Sequence, residues 1–177
     1  MSILATTNTA ATRARTARGA VDKFLSFTLA YERFAIPILT VKEIIGLMDI
    51  TPVPRMPDWL RGVINLRGKV IPVIDLRLKL GLPASPDGKR TCIIVVQVPS
   101  AEGHLVLGAV VDLVNEVQNI PPSDIAPAPA LGTGVDTAFL IGMGKIGKQV
   151  VLLLDIDKAM STNEVASVAA AQAASGG

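Results

Sequence analysis

Gly62-Val63-Ile64-Asn65-Leu66-Arg67-Gly68-Lys69-Val70-Ile71-Pro72-Val73-Ile74-Asp75-Leu76 carries the clearest structural signal in this chain. Two apolar runs rich in Val and Ile flank Arg67-Gly68-Lys69, and Gly68 can take the positive φ that a tight hairpin turn demands. Upstream, Thr51-Pro52-Val53-Pro54-Arg55-Met56-Pro57 holds three prolines. Proline removes ladder donors, so this is a rigid connector and no central strand. Asp58 is expected to cap a short helical turn that includes Trp59. From Leu39 to Ile45 the spacing of Val41, Ile44 and Ile45 predicts a single helical turn with Lys42 and Glu43 exposed. A strand through Phe34-Ala35-Ile36, a polar turn at Tyr31-Glu32-Arg33 and an alternating strand over Lys23 to Leu29 complete the amino-terminal part.

Downstream, strands are expected from Arg90 to Val98 and from His104 to Val111, joined by the turn-rich Pro99-Ser100-Ala101-Glu102-Gly103. Val114 to Ile120 continues the second of these after a break around Asp112. Pro121 to Asp136, rich in Pro, Ala and Gly, reads as a long loop, and a last hairpin pairs Ala138 to Ile141 with Gln149 to Asp155. A helix is expected over Asn163 to Ala174, closed by a disordered Ala-Ser-Gly-Gly. Residues 1–22 read as a disordered tail, 23–158 as the folded domain and 159–177 as a C-terminal helix and tail. Many short strands with Gly/Pro turns and few helices give an all-β class, a sandwich or small barrels. No internal repeat stands out.

Half of the 177 residues are hydrophobic and only 3% aromatic, so Val, Ile and Leu must build the core. The net charge of +2 gives no electrostatic reason to expect nucleic-acid binding. Cys92 is the sole cysteine and sits in an apolar run, where it reads as a small buried hydrophobe. One cysteine forbids an internal disulfide and fits a reducing compartment. Apolar runs such as Val150 to Leu154 are far shorter than the roughly 20 residues of a spanning helix, so no membrane insertion is expected. The first 20 residues are rich in Ala, Thr and Arg, a superficial likeness to a transit peptide, but nothing there repeats at a helical or strand period. Arg13, Arg15 and Arg18 read as a solvated tail.

Catalytic motifs fail on inspection. Gly142-Met143-Gly144-Lys145-Ile146-Gly147 matches the dinucleotide fingerprint and, with Lys148, most of a phosphate loop. Both need a helix N-terminus next, yet a strand pattern, Gln149-Val150-Val151-Leu152-Leu153-Leu154, follows. Gln149 also stands where Ser or Thr would hold magnesium, so a glycine-rich hairpin is the reading. One His and one Cys provide no zinc set. His104 reads as an exposed strand-end residue. Asp75, Asp112, Asp155 and Asp157 close apolar strands, where carboxylates cap turns or face solvent. No enzyme activity, cofactor or metal is expected.

From about Lys23 to Lys158 the chain resembles the CheW-like family of bacterial chemotaxis coupling proteins. The resemblance rests on Phe24-Leu25-Ser26-Phe27-Thr28-Leu29, Ile38-Leu39-Thr40-Val41-Lys42-Glu43-Ile44, Arg61 to Gly68 and Val70 to Arg77. Gly108-Ala109-Val110-Val111-Asp112 and Ala126-Pro127-Ala128-Pro129 agree in order and spacing. It implies two five-stranded SH3-like β-barrels sharing a hydrophobic junction, with short helical turns. It also implies a cytoplasmic scaffold that links methyl-accepting chemoreceptor tips to the regulatory domain of the histidine kinase CheA at inner-membrane arrays. The same fold in a non-flagellar chemosensory system, governing pilus motility or gene regulation, is the alternative. A small-molecule-binding barrel with Gly142–Gly147 as its ligand loop is the reading from a different class.

The residues that the resemblance places in the receptor- and kinase-facing groove are Ile38, Val41, Glu43, Gly62, Arg67, Ile93 and Val117. Val41, Ile93 and Val117 would line an apolar trough for a helical hairpin tip, with ordinary core packing as the alternative for Ile93 and Val117. Glu43 would fix register by a charge contact, or belong to a solvated face. Arg67 at the hairpin tip would offer a planar fork to a receptor acid, or bridge internally to Glu43 or Asp75. Gly62 reads as structural. Ile45 stands where relatives often carry a polar residue, which predicts a more apolar rim here.

Overall fold

The computed structural model describes residues 22–101, 103–128 and 135–176. Of the expected tail over residues 1–22, all but Asp22 lies outside them, and Asp22 belongs to the fold, its carbonyl accepting from Ile120 N at 2.8 Å. Apolar runs produce β1 (Lys23–Leu29) and β2 (Glu32–Pro37), and alternation produces β3 (Val41–Gly46), with a single 3-10 turn, Ile38–Thr40, between the last two. The decisive stretch folds as β4 (Leu60–Leu66) and β5 (Lys69–Asp75), an antiparallel hairpin, followed by the short helix α1 (Leu76–Lys79). Then come β6 (Cys92–Ser100), β7 (Gly103–Val111), β8 (Leu113–Asn119), β9 (Ile125–Ala126), β10 (Leu140–Ile146) and β11 (Gln149–Leu154). Helices α2 (Ile156–Ala159) and α3 (Thr162–Gly176) close the chain.

Two sheets result, ordered β8-β1-β2-β11-β10-β9 and β3-β6-β7-β5-β4. Each closes on itself through chain continuity. In the first, β8 leads through a 3-10 turn into β9 on the opposite edge. In the second, the connector after β3 reaches β4, where Thr51 and Val63 exchange N–H···O bonds of 2.9 Å each. These are the two SH3-like barrels, the second inserted between β2 and β8 of the first. Asp112 sits at the return crossing, where its carboxylate accepts from Ala30 N (3.0 Å) and from Arg77 Nε (2.9 Å). The break expected at Asp112 is therefore a change of sheet.

The largest core cluster joins the barrels: Leu25, Phe27, Leu29, Phe34 and Ile36 of the first meet Ile74, Ile94, Val96 and Leu107 of the second. Phe27 and Phe34 stack within it, ring centroids 6.1 Å apart. Smaller clusters fill each barrel, around Ile64, Ile71, Val73 and Ile93 in one and Phe24, Ala35, Ile120 and Leu153 in the other.

Several expectations need correction. Val41–Gly46 is a strand and no helical turn, because its exposure alternates and Ile44 points outward. Asp58-Trp59 forms a turn closed by Leu60 N donating to Pro57 O at 3.0 Å, with no helix. Within the expected long loop the chain makes a 3-10 turn, Pro122–Asp124, and β9, while residues 129–134 lie outside the description. Of the glycine-rich stretch, Gly142 and Gly144 lie in β10 and only Gly147 turns, at φ +61°. The last helix continues through Gly176, where a disordered end was expected. Cys92 is half-buried.

The structure also reveals a repeat. Both hairpins carry a register shift two residues after their start, between Leu60 and Gly62 and between Leu140 and Gly142. Each second strand then runs parallel to a strand of the next hairpin, β5 to β7 and β11 to β2. Asp75 N donates to Trp59 O (2.6 Å) as Asp155 N does to Phe139 O (2.8 Å), and both carboxylates cap a four-residue helix. Strand β3 pairs β6 as β8 pairs β1, which sets Val41-Lys42-Glu43-Ile44 against Val114-Asn115-Glu116-Val117. The barrels are thus one unit used twice, circularly permuted.

Candidate functional site

Opposition of Leu66 and Lys69 leaves Arg67-Gly68 as a two-residue turn, and both have positive φ (+52° and +85°). Asn65 Oδ1 accepts from Gly68 N at 2.9 Å and holds the turn. The arginine therefore stands at the tip with 71% of its side chain exposed. It reaches β3, where Nη1 and Nη2 donate to Glu43 Oε1 and Oε2 at 2.8 and 3.0 Å. This paired fork, with the guanidinium charge behind it, holds the Glu43 carboxyl below its ordinary range. An ion pair this exposed contributes little to stability, so a partner carboxylate can displace Glu43 at low cost.

Exposed apolar side chains flank Glu43 along the chain. Leu39 is 67% exposed and Ile44 46%, and Leu47 and Met48 follow on the connector. A run of exposed aliphatics beside a polar clamp is the composition of a protein-docking surface. Sequence reading missed all four. Alternation along Val41–Gly46, read at period two, was the available signal for Ile44. Ile45 itself faces inward against the interior of the second barrel, so the apolar rim belongs to Ile44.

The other expected residues separate. Ile38 and Val41 are half-buried against the inter-barrel core. Gly62 is structural: a Cβ there would lie 2.1 Å from Thr51 O, and its φ is +144°. Ile93 takes the core alternative, fully buried because β6 runs between β3 and β7. Val117 is 50% exposed on β8 of the first barrel, at the position equivalent to Ile44. The structure thus brings Glu43 and Arg67 together, buries Ile93, and puts Val117 on the sister surface.

Elsewhere, Gly142–Gly147 leads into β11 and offers no helix N-terminus for phosphates. Among the described residues no three His, Cys, Asp or Glu side chains could hold a metal ion, and no helix is long and apolar enough to cross a membrane.

Paired SH3-like barrels with an exposed aliphatic strip and a charged clamp define a protein-binding module. The family model described as CheW-like domain matches residues 23–164. The chain is 38% identical over 147 residues to the chemotaxis protein CheW of Klebsiella aerogenes, covering 83% of this chain and 86% of that one. Protein FrzA of Myxococcus xanthus is 31% identical over 150 residues, covering 84% and 91%. The crystal structure of the scaffolding protein TtCheW from Thermoanaerobacter tengcongensis superposes with a TM-score of 0.72 at 34% identity, covering 81% of this chain and 94% of that one. The chain belongs to the CheW-like domain family.

Proposed function

We propose that this protein is a chemotaxis coupling adaptor: it links the cytoplasmic tips of methyl-accepting receptors to a CheA-type histidine kinase and lets receptors control autophosphorylation. The observation that carries the site assignment is the exposed Arg67–Glu43 fork, with exposed Leu39, Ile44, Leu47 and Met48 on the segment that bears Glu43. A helical hairpin tip presents an apolar stripe and flanking charges, which this surface complements. Its place is the receptor array, reached through its partners. The same role in a chemosensory system for pilus motility or gene regulation is the second reading, favoured by the likeness to Protein FrzA.

Pull-down against a CheA-type kinase and a receptor cytoplasmic fragment from the same organism tests the proposal. Capture of both is expected, and the Arg67→Glu chain should fold normally yet lose receptor capture. Capture of neither by a folded chain sinks the reading.

A further inference from the structure

The repeat exposes an asymmetry. Val70, near the tip of the Arg67 hairpin, is half-buried, while its counterpart Val150 on the β10–β11 hairpin is 52% exposed. The difference is α3, which packs across β4, β5 and β6 of the second barrel, while Val150 on the β10–β11 hairpin stays exposed. The ladder from β5 to β7 starts only at Val73, so the outer end of β5 has no strand there. Gln172 fills that gap: its Nε2 donates to Val70 O at 2.9 Å, a bond between residues 102 apart in the chain.

The other end of α3 is firmly held. Ser161 and Glu164 form a reciprocal capping box, Glu164 N donating to Ser161 Oγ (3.2 Å) and Ser161 N to Glu164 Oε1 (3.0 Å). Glu164 also pairs with Lys79 Nζ at 3.0 Å. The Lys79 side chain is 7% exposed and lies over Trp59 and Phe139, which precede β4 and β10 respectively. Val165, Val168 and Ala171 bury one face of the helix against the shared core. From Glu164 to Gln172 the helix spans about 12 Å at 1.5 Å per residue.

We infer that α3 is a strut between the barrel junction and the docking hairpin, and that Gln172 is the positioning residue that holds the hairpin bearing Arg67. The hairpin has a two-residue turn, so without Gln172 its tip is restrained by the β4 ladder, the Asn65–Gly68 bond and the exposed Arg67–Glu43 pair, and the outer edge of β5 is left unheld. A partner must then order the tip as it binds, which weakens association. This role rests on the proposed docking function of Arg67, whereas the physical restraint does not.

The experiment uses the full chain and two variants. Gln172→Met keeps side-chain length and helix propensity but removes the donor, and Gln172→Lys restores one. Amide hydrogen exchange is followed in the β4–β5 and β10–β11 hairpins, together with capture of the receptor fragment. Gln172→Met should raise exchange at residues 66–70 about five-fold, the effect of one lost hydrogen bond, with β10–β11 unchanged. Receptor capture should fall in parallel, and Gln172→Lys should recover both. Unchanged exchange at 66–70, or an equal rise in both hairpins, overturns the inference. So does a loosened hairpin with undiminished capture, provided Arg67→Glu abolishes capture. If Arg67→Glu has no effect, the docking role of Arg67 has failed, and exchange alone still decides the restraint by Gln172.

Discussion

The β4–β5 and β10–β11 hairpins are the same device in two barrels, and they differ at the tip. One turns through Arg67 at φ +52° and the other through Gly147 at φ +61°. Both first positions have positive φ, which glycine adopts freely and arginine at a cost of about 1 kcal/mol, but the second position follows with positive φ only at Gly68. Each has a glutamate on the facing edge strand, Glu43 and Glu116. Only Glu43 meets a guanidinium, while Glu116 is hydrogen-bonded by Gln118. The Arg67 tip therefore pairs a left-handed arginine with a carboxylate, and the Gly147 tip does neither.

The largest effect should come from the glycines after the register shifts. Gly62→Val combines positive φ with a backbone clash against Thr51 and should destabilise the protein by about 3–5 kcal/mol. Gly142→Val has no positive φ, and its Cβ would lie 2.6 Å from Ala126 O beside the two-residue β9, so about 1–3 kcal/mol is expected. Denaturant titration of both checks the order, and equal losses would break the asymmetry.

Next is binding. Arg67→Glu sets two carboxylates together at the tip, and receptor capture should drop at least about ten-fold with the denaturation midpoint little changed. Exchanging tips has a smaller, opposite pair of effects on stability. Arg67→Gly should raise the thermal midpoint by about 2–4 °C and abolish capture, while Gly147→Arg should lower it by a similar amount. A fall for Arg67→Gly would show that the arginine is structural.

The smallest effect is on pH dependence. The Glu43 carboxyl is depressed below 4.5 by its hydrogen bonds from Arg67. Its contribution is therefore complete above pH 4.5 and disappears as pH falls through the lowered folded value. NMR titration of the Glu43 side chain should give a midpoint that rises in Arg67→Gly; an unmoved midpoint removes Arg67 as the cause.

Legibility followed the range of the interaction. The Arg67-Gly68 hairpin was readable because its turn chemistry and flanking alternation lie within fifteen residues. Ile44 was misread because Val41, Ile44 and Ile45 also fit a helical face, and only the strand's place at a sheet edge turns Ile44 to solvent. The repeat escaped because it is permuted: the counterparts of β6 and β7 are β1 and β2, at the opposite end of the unit. Lys42 against Asn115 and Arg67 against Gly147 dilute what likeness remains. For Ile93 the residues left core and trough open, and the position of β6 inside its sheet decided for core.

By itself the sequence determined most of the strands, β3 and β9 excepted, the tight turns and the β-rich class, since these depend on φ preferences, period-two burial and hydrogen bonds across a few residues. The tertiary structure alone decided which apolar residues stay exposed, that Arg67 meets Glu43, and that Gln172 reaches Val70. Those outcomes depend on which strands become neighbours, and strand order is set by the collective burial of two barrels against one shared core.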